Sequence, residues 1–129
     1  MGRTTGLFWI SRQSVVQNPF KRRMPATPTE ILPLLARELE QLLKKQGEFE
    51  LVAQVPKLRI VDRCRCGDDF CSSFYTQPKP VGSYGPGHRS MDLDAAEEMV
   101  ILDVVAGTIA HVEVLYRDDI RQKLFAALP

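Results

Sequence analysis

"MVILDVVAGTIAHVEVLY", residues 99 to 116, decides how the rest of the chain is read. Two apolar runs flank Ala106-Gly107, where glycine supplies the positive φ that a tight turn needs. In the second run Val112 and Val114 alternate with His111 and Glu113, the period of two that marks a strand with one face on a core. The stretch predicts an antiparallel hairpin. His111 and Glu113 share its polar face, which is how a base and an orienting carboxylate could be presented. Polar pairs of this spacing occur wherever a strand faces water, so a solvent-facing pair is the expectation.

Downstream, "RDDIRQKLFAAL" places Ile120, Leu124 and Leu128 on one stripe, a short helix. Asp118 is the expected cap, with Asp119 as a first-turn charge rather than a metal ligand. Upstream, "RSMDLD" alternates Met91 and Leu93 with polar neighbours and adds a third strand. Before it, "KLRIVDRCRC" (57–66) and "FCSSFYTQ" (70–77), joined by the turn cluster "GDD", predict a hairpin. The period of two is expected to begin at Phe49. Ahead of that, "TPTEILPLLARELEQLLKKQG" spaces Ile31, Leu35, Leu39 and Leu42 as an amphipathic helix. Pro33 belongs in its first turn, which favours Thr29 over Thr27 as the cap, and Gly47 ends it.

The expected fold is therefore α+β: an antiparallel meander of about five strands, with an N-terminal and a C-terminal helix covering one sheet face. At 129 residues, 44% hydrophobic and 26% charged, the chain fits one globular domain. Residues 24–129 are assigned to that domain. Residues 1–23 hold five basic residues and no acid, leaving 12 basic against 16 acidic residues beyond them. This basic arm has the composition of an organelle import leader, and Met24 is an alternative start that would make it dispensable. No apolar run approaches the roughly 20 residues needed to span a bilayer, and no secretory signal is present, so a cytoplasmic protein without a membrane role is expected.

All three cysteines fall in one segment, Cys64-x-Cys66-x4-Cys71, and with His88 they supply the four ligands of a tetrahedral zinc. The spacing departs from a C-x2-C knuckle, because two cysteines alternating on a strand lie about 7 Å apart. Register decides between alternatives. A three-residue turn, Gly67 to Asp69, sets Cys66 opposite Phe70 and turns Leu58, Ile60, Cys64, Cys66, Phe70 and Phe74 inward, with Cys71 outward. A two-residue turn would set Cys64 opposite Cys71, where a shared metal or a disulfide becomes feasible. Keeping both phenylalanines on the leucine face favours the three-residue turn. Buried or free thiols are then expected, with zinc at Cys64, Cys66, Cys71 and His88 as the alternative.

The segment "QPKPVGSYGPGHR" (77–89) is a long connection, and long ordered loops often carry function. Tyr84, His88 and Arg89, bordered by Tyr75, are the candidate partner-binding residues. The stripe Lys57, Arg59, Arg63 and Arg65 could follow a phosphate backbone, but the domain is acidic without its arm and nucleic acid is not the favoured partner. No glycine-rich phosphate loop, nucleophile elbow or H-E-x-x-H motif occurs, so no catalytic residue is assigned. The first expectation is binding of a protein partner, as an inhibitor or immunity-type protein, an adaptor or a complex subunit. A zinc protein is the alternative, and a small enzyme or nucleic-acid module comes last.

Overall fold

The computed structural model describes residues 26–95 and 99–129; the basic arm lies outside the described residues. In chain order the elements are α1 (Pro28–Ile31), α2 (Pro33–Lys45), α3 (Phe49–Gln54), a 3-10 turn (Val55–Lys57), β1 (Asp62–Arg63), β2 (Phe74–Tyr75), β3 (His88–Asp92), β4 (Met99–Val105), β5 (Thr108–Leu115) and α4 (Asp118–Ala127). The strands form one antiparallel sheet in the order β1-β2-β5-β4-β3. Strands β3, β4 and β5 are a meander as expected. The small β1–β2 hairpin instead joins the outer side of β5, so residues 76–87 carry the chain from β2 to the far edge.

The N-terminal helical stretch is divided in two. Thr27 Oγ1 accepts from the Glu30 N–H at 3.1 Å while Glu30 Oε1 accepts from the Thr27 N–H at 3.0 Å, a reciprocal cap that places the start at Thr27 rather than Thr29. Pro33 cannot continue that turn, since it lacks an N–H and its ring disfavours a helical residue before it. Leu32 is accordingly non-helical, and Pro33 opens α2. Gly47, at φ +75°, ends α2: the Glu48 N–H reaches the Leu43 carbonyl at 2.9 Å, a closure that needs a left-handed residue. The expected strand from Phe49 is instead α3, because Leu51 and Val55, four apart, are both buried. At the other end Arg117 holds the cap position of α4 without its side chain capping the helix, since its guanidinium donates instead to Glu38 Oε1 at 3.0 Å, and Asp118 is the first residue of α4 rather than its cap.

The helices cover one face of the sheet. Leu35, Leu39 and Leu43 of α2 and Ile120 and Leu124 of α4 pack with Phe74, Val100, Leu102, Ile109, Val112 and Val114 in one buried cluster. Among the described residues no helix is long and apolar enough to cross a membrane.

Two local slips decide what the opposite face carries. In the β4–β5 hairpin Val104 pairs with Ile109 but Asp103 pairs with His111, so Ala110 is an extra residue on β5. Ile109 is inward before the bulge, Val112 and Val114 after it, and His111 is re-aimed to the outer face. Near β1 the Val61 N–H donates to Tyr75 O at 2.9 Å, while Tyr75 also pairs with Asp62. Two residues there oppose one, and the alternation that put Ile60 inward is reversed. Arg63, paired with the inward Phe74, consequently turns to the helical side, where its guanidinium lies 3.8 Å from the Phe125 ring centre and donates to Leu128 O at 2.7 Å. The four basic residues expected on one strand face are thus divided: Lys57 lies in the 3-10 turn and Arg63 faces α4.

Candidate metal centre

Beyond Arg63 the hairpin continues as Cys64 N–H to Ser73 O at 2.8 Å, in the register that pairs Asp62 with Tyr75. Extended to the turn, this register sets Cys66 opposite Cys71 and leaves four residues, Gly67 to Phe70, between them. It is neither of the registers weighed from sequence. The three-residue turn is overturned, and with it the inward set. Leu58, Ile60 and Phe74 are buried as expected, but Cys66 is exposed, Cys64 is half-buried, Phe70 is exposed, and Cys71 is the buried cysteine. Phe70 is outside the core because its carbonyl accepts from the Tyr116 N–H at 2.9 Å and its ring stacks on Tyr116 with centres 5.4 Å apart.

This register brings all three sulfurs together. The Sγ atoms of Cys64, Cys66 and Cys71 lie within 4.8 Å of one another, and no disulfide joins them. Three ligands around a tetrahedral zinc, at about 2.3 Å each, stand about 3.8 Å apart, so small rotations would close the set on an ion. The sulfurs differ in acidity. Burial pushes the Cys64 thiol up to about 11. Burial also acts to raise Cys71, but it is outweighed there by hydrogen bonds from the Ser73 hydroxyl and N–H and from the Cys66 and Cys64 thiols, which hold Cys71 below the usual thiol range. The arrangement favours ionisation at Cys71 over Cys64. Ser73 is fixed in this role, since its Oγ accepts from the Val114 N–H at 3.0 Å.

In front of the sulfurs is a cavity of about 290 Å³, which Asp68, Ser73, Tyr75, His111 and Glu113 also line. Pairing across all five strands sets Asp62, Tyr75, His111, Asp103 and Ser90 in one row on this face. Asp103 is its centre: Oδ2 meets His111 Nδ1 at 3.1 Å, and Oδ1 meets His88 Nε2 at 2.8 Å and the Ser90 hydroxyl at 2.7 Å. Burial raises the Asp103 carboxyl, but these three partners together lower it below its ordinary value. The Tyr75 ring packs on His111 with centres 4.5 Å apart.

His88, the residue considered from sequence as a fourth ligand, turns its Nε2 to Asp103 and is not among the residues lining the sulfur cavity. Its ring packs on Tyr84, whose phenol burial pushes up to about 12. Arg89 pairs with Glu48 at 3.1 Å across to the start of α3. Of the four candidate partner-binding residues, Tyr75 therefore borders the cysteine cavity, Tyr84 and His88 sit beside Asp103, and Arg89 ties the far edge strand to the helices. Asp103 was not singled out from sequence. The buried pair Ile109 and Val112, three apart rather than two, was the available sign of the bulge that joins it to His111.

Thiol reactivity checks this geometry. In the metal-free, reduced protein a bulky maleimide is expected to modify the exposed Cys66 ahead of the buried Cys71, the reverse of what the three-residue turn implied. Peptide mapping of the singly modified protein reads the order; Cys71 as the first site would restore the register rejected above.

No protein-family model matches this sequence, and no curated protein or solved structure is significantly similar to it.

Proposed function

We propose that this chain is a zinc-binding protein that holds the ion through Cys64, Cys66 and Cys71. The observation that carries the reading is the convergence of the three sulfurs within 4.8 Å. Thiolate ligands select soft or borderline ions over calcium or magnesium, and zinc suits a set of sulfurs with no geometric demand of its own. The ordered part of the hairpin explains what the ion would do for the fold. Only two residue pairs join β1 to β2, so a metal that links Cys64 and Cys66 to Cys71 would fasten a weakly paired edge to the sheet.

Cobalt substitution tests the assignment. Addition of Co2+ to the reduced full chain is expected to produce intense thiolate-to-cobalt absorption that saturates at one ion per chain and is displaced by zinc. Cys71→Ser should weaken binding at least tenfold, because it removes one of the three sulfurs that hold the ion. Unchanged absorption in Cys71→Ser, or none in the wild type, would refute the site.

A second reading, binding of a protein partner, is favoured by the exposed, stacked pair Phe70 and Tyr116, since Phe70 also borders the sulfur cavity and aromatic residues are enriched at interfaces. Phe70→Ser with Tyr116→Ser is expected to abolish retention of a partner in pull-downs while leaving cobalt absorption unchanged. Equal retention by wild type and variant would remove the pair from consideration.

A further inference from the structure

We infer that the zinc site has an open fourth position, and that His111 Nε2 accepts a hydrogen bond from the exogenous ligand occupying it. This rests on the zinc reading above and adds to it a binding site for small neutral ligands that combine a lone pair for the metal with a donor hydrogen; water is the default occupant.

Three observations carry the inference. First, the chain supplies three ligand atoms at the site: no imidazole or carboxylate of the described residues joins the sulfurs in a group mutually within 4.8 Å. Three protein ligands with an unfilled fourth place is the pattern of exchangeable zinc sites, whereas structural sites are closed by a fourth side chain. Second, His111 is oriented for one role. Asp103 accepts in their 3.1 Å contact, so Nδ1 is the donor, and in the tautomer that donates from Nδ1 alone Nε2 is left with its lone pair. The His88 and Ser90 bonds hold Asp103 in place, which makes it a positioning residue for His111. Third, His111 Nε2 is buried and has no hydrogen-bond partner among the described residues, while His111 is one of the residues lining the same 290 Å³ cavity as the three cysteines. A buried acceptor left unpaired is costly, and a donor held at the metal would satisfy it. Glu113 and Asp68 line the cavity as well, so the ligand meets acceptors rather than cations, which disfavours anions.

The test uses the Co2+-loaded, reduced full chain and two probes: imidazole, which presents an N–H when its other nitrogen ligates a metal, and 1-methylimidazole, which ligates equally but has no hydrogen to donate. Imidazole is expected to shift the cobalt absorption saturably and to bind several-fold more tightly than 1-methylimidazole, the range of about 2- to 10-fold that one hydrogen bond supplies. His111→Phe, which keeps a ring against Tyr75, and His111→Ala should both abolish that preference while retaining the thiolate-to-cobalt bands. Absence of the thiolate bands in the wild type would refute the zinc reading itself, and this inference with it. Thiolate bands that ignore both probes, with metal-bound imidazole seen by X-ray absorption in wild type but not in His111→Ala, would show that His111 itself closes the site and overturn the open position. Equal affinity for the two probes in the wild type would remove His111 as the acceptor.

Discussion

Zinc removal is expected to lower the melting temperature of the reduced chain by on the order of 15 °C. At free zinc a thousand times the dissociation constant, an ion that binds only the folded state contributes about 4 kcal/mol, and for a domain of this size each kcal/mol moves the midpoint by about 4 °C. The metal would link the two short strands of the β1–β2 hairpin. Cys64 and Cys66 follow a strand of two residues, and Cys71 precedes another. Calorimetry with zinc, and again with excess chelator in a phosphine reductant, gives the comparison. A difference below about 2 °C would mean that the sulfurs contribute nothing to the folded state as metal ligands.

Phe74→Ala is expected to cost about 3–5 kcal/mol, the second large effect, and a substantial part of a typical domain's total stability. Phe74 is fully buried at the point where β1, β2 and β5 meet, paired with Arg63 on one side and Val112 on the other. Removing its ring leaves a cavity beneath the same hairpin that presents the cysteines, so metal affinity should fall along with stability. Urea unfolding of the metal-free protein isolates the packing contribution; a loss below about 1 kcal/mol would place Phe74 at the margin of the core.

The parts of the fold legible in the sequence are those where one period holds without interruption. Leu35 and Leu39 of the α2 stripe and the β4–β5 hairpin with its Ala106-Gly107 turn belong to this class: Ala106 and Gly107 have φ +50° and +81°, the pair of left-handed residues that a two-residue hairpin turn requires. The site was harder to read because it lies where the period breaks. An extra residue at Ala110 and another beside Val61 each move the following side chains to the other sheet face, whereas strict alternation carried Cys64 and Cys66 into the core and left Cys71 outside it. Phe70 strengthened the wrong register, because apolar pattern alone does not separate a core phenylalanine from one stacked on an exposed tyrosine. The helix α3 was missed for a related reason: six residues give less than two turns of pattern, and Leu51 and Val55 fit a helix as well as an irregular extended segment.

The order of residues on the outer face links these slips to chemistry. Without the bulge at Ala110, Asp103 would pair with Ala110 and His111 would fall on the helical side with the core. With it, a carboxylate, two imidazoles and a serine hydroxyl meet on the face that also carries the three sulfurs. Local irregularity of a strand is the device that collects polar side chains on one side while the apolar set remains on the other.

Native mass spectrometry of the reduced full chain, purified without added chelator and then treated with one, tests the central claim most directly. The zinc reading predicts a single species carrying one zinc, converted by chelator to a metal-free chain with three free thiols, and the absence of that zinc species in Cys71→Ser. A wild-type chain that remains metal-free in the presence of excess zinc would contradict it.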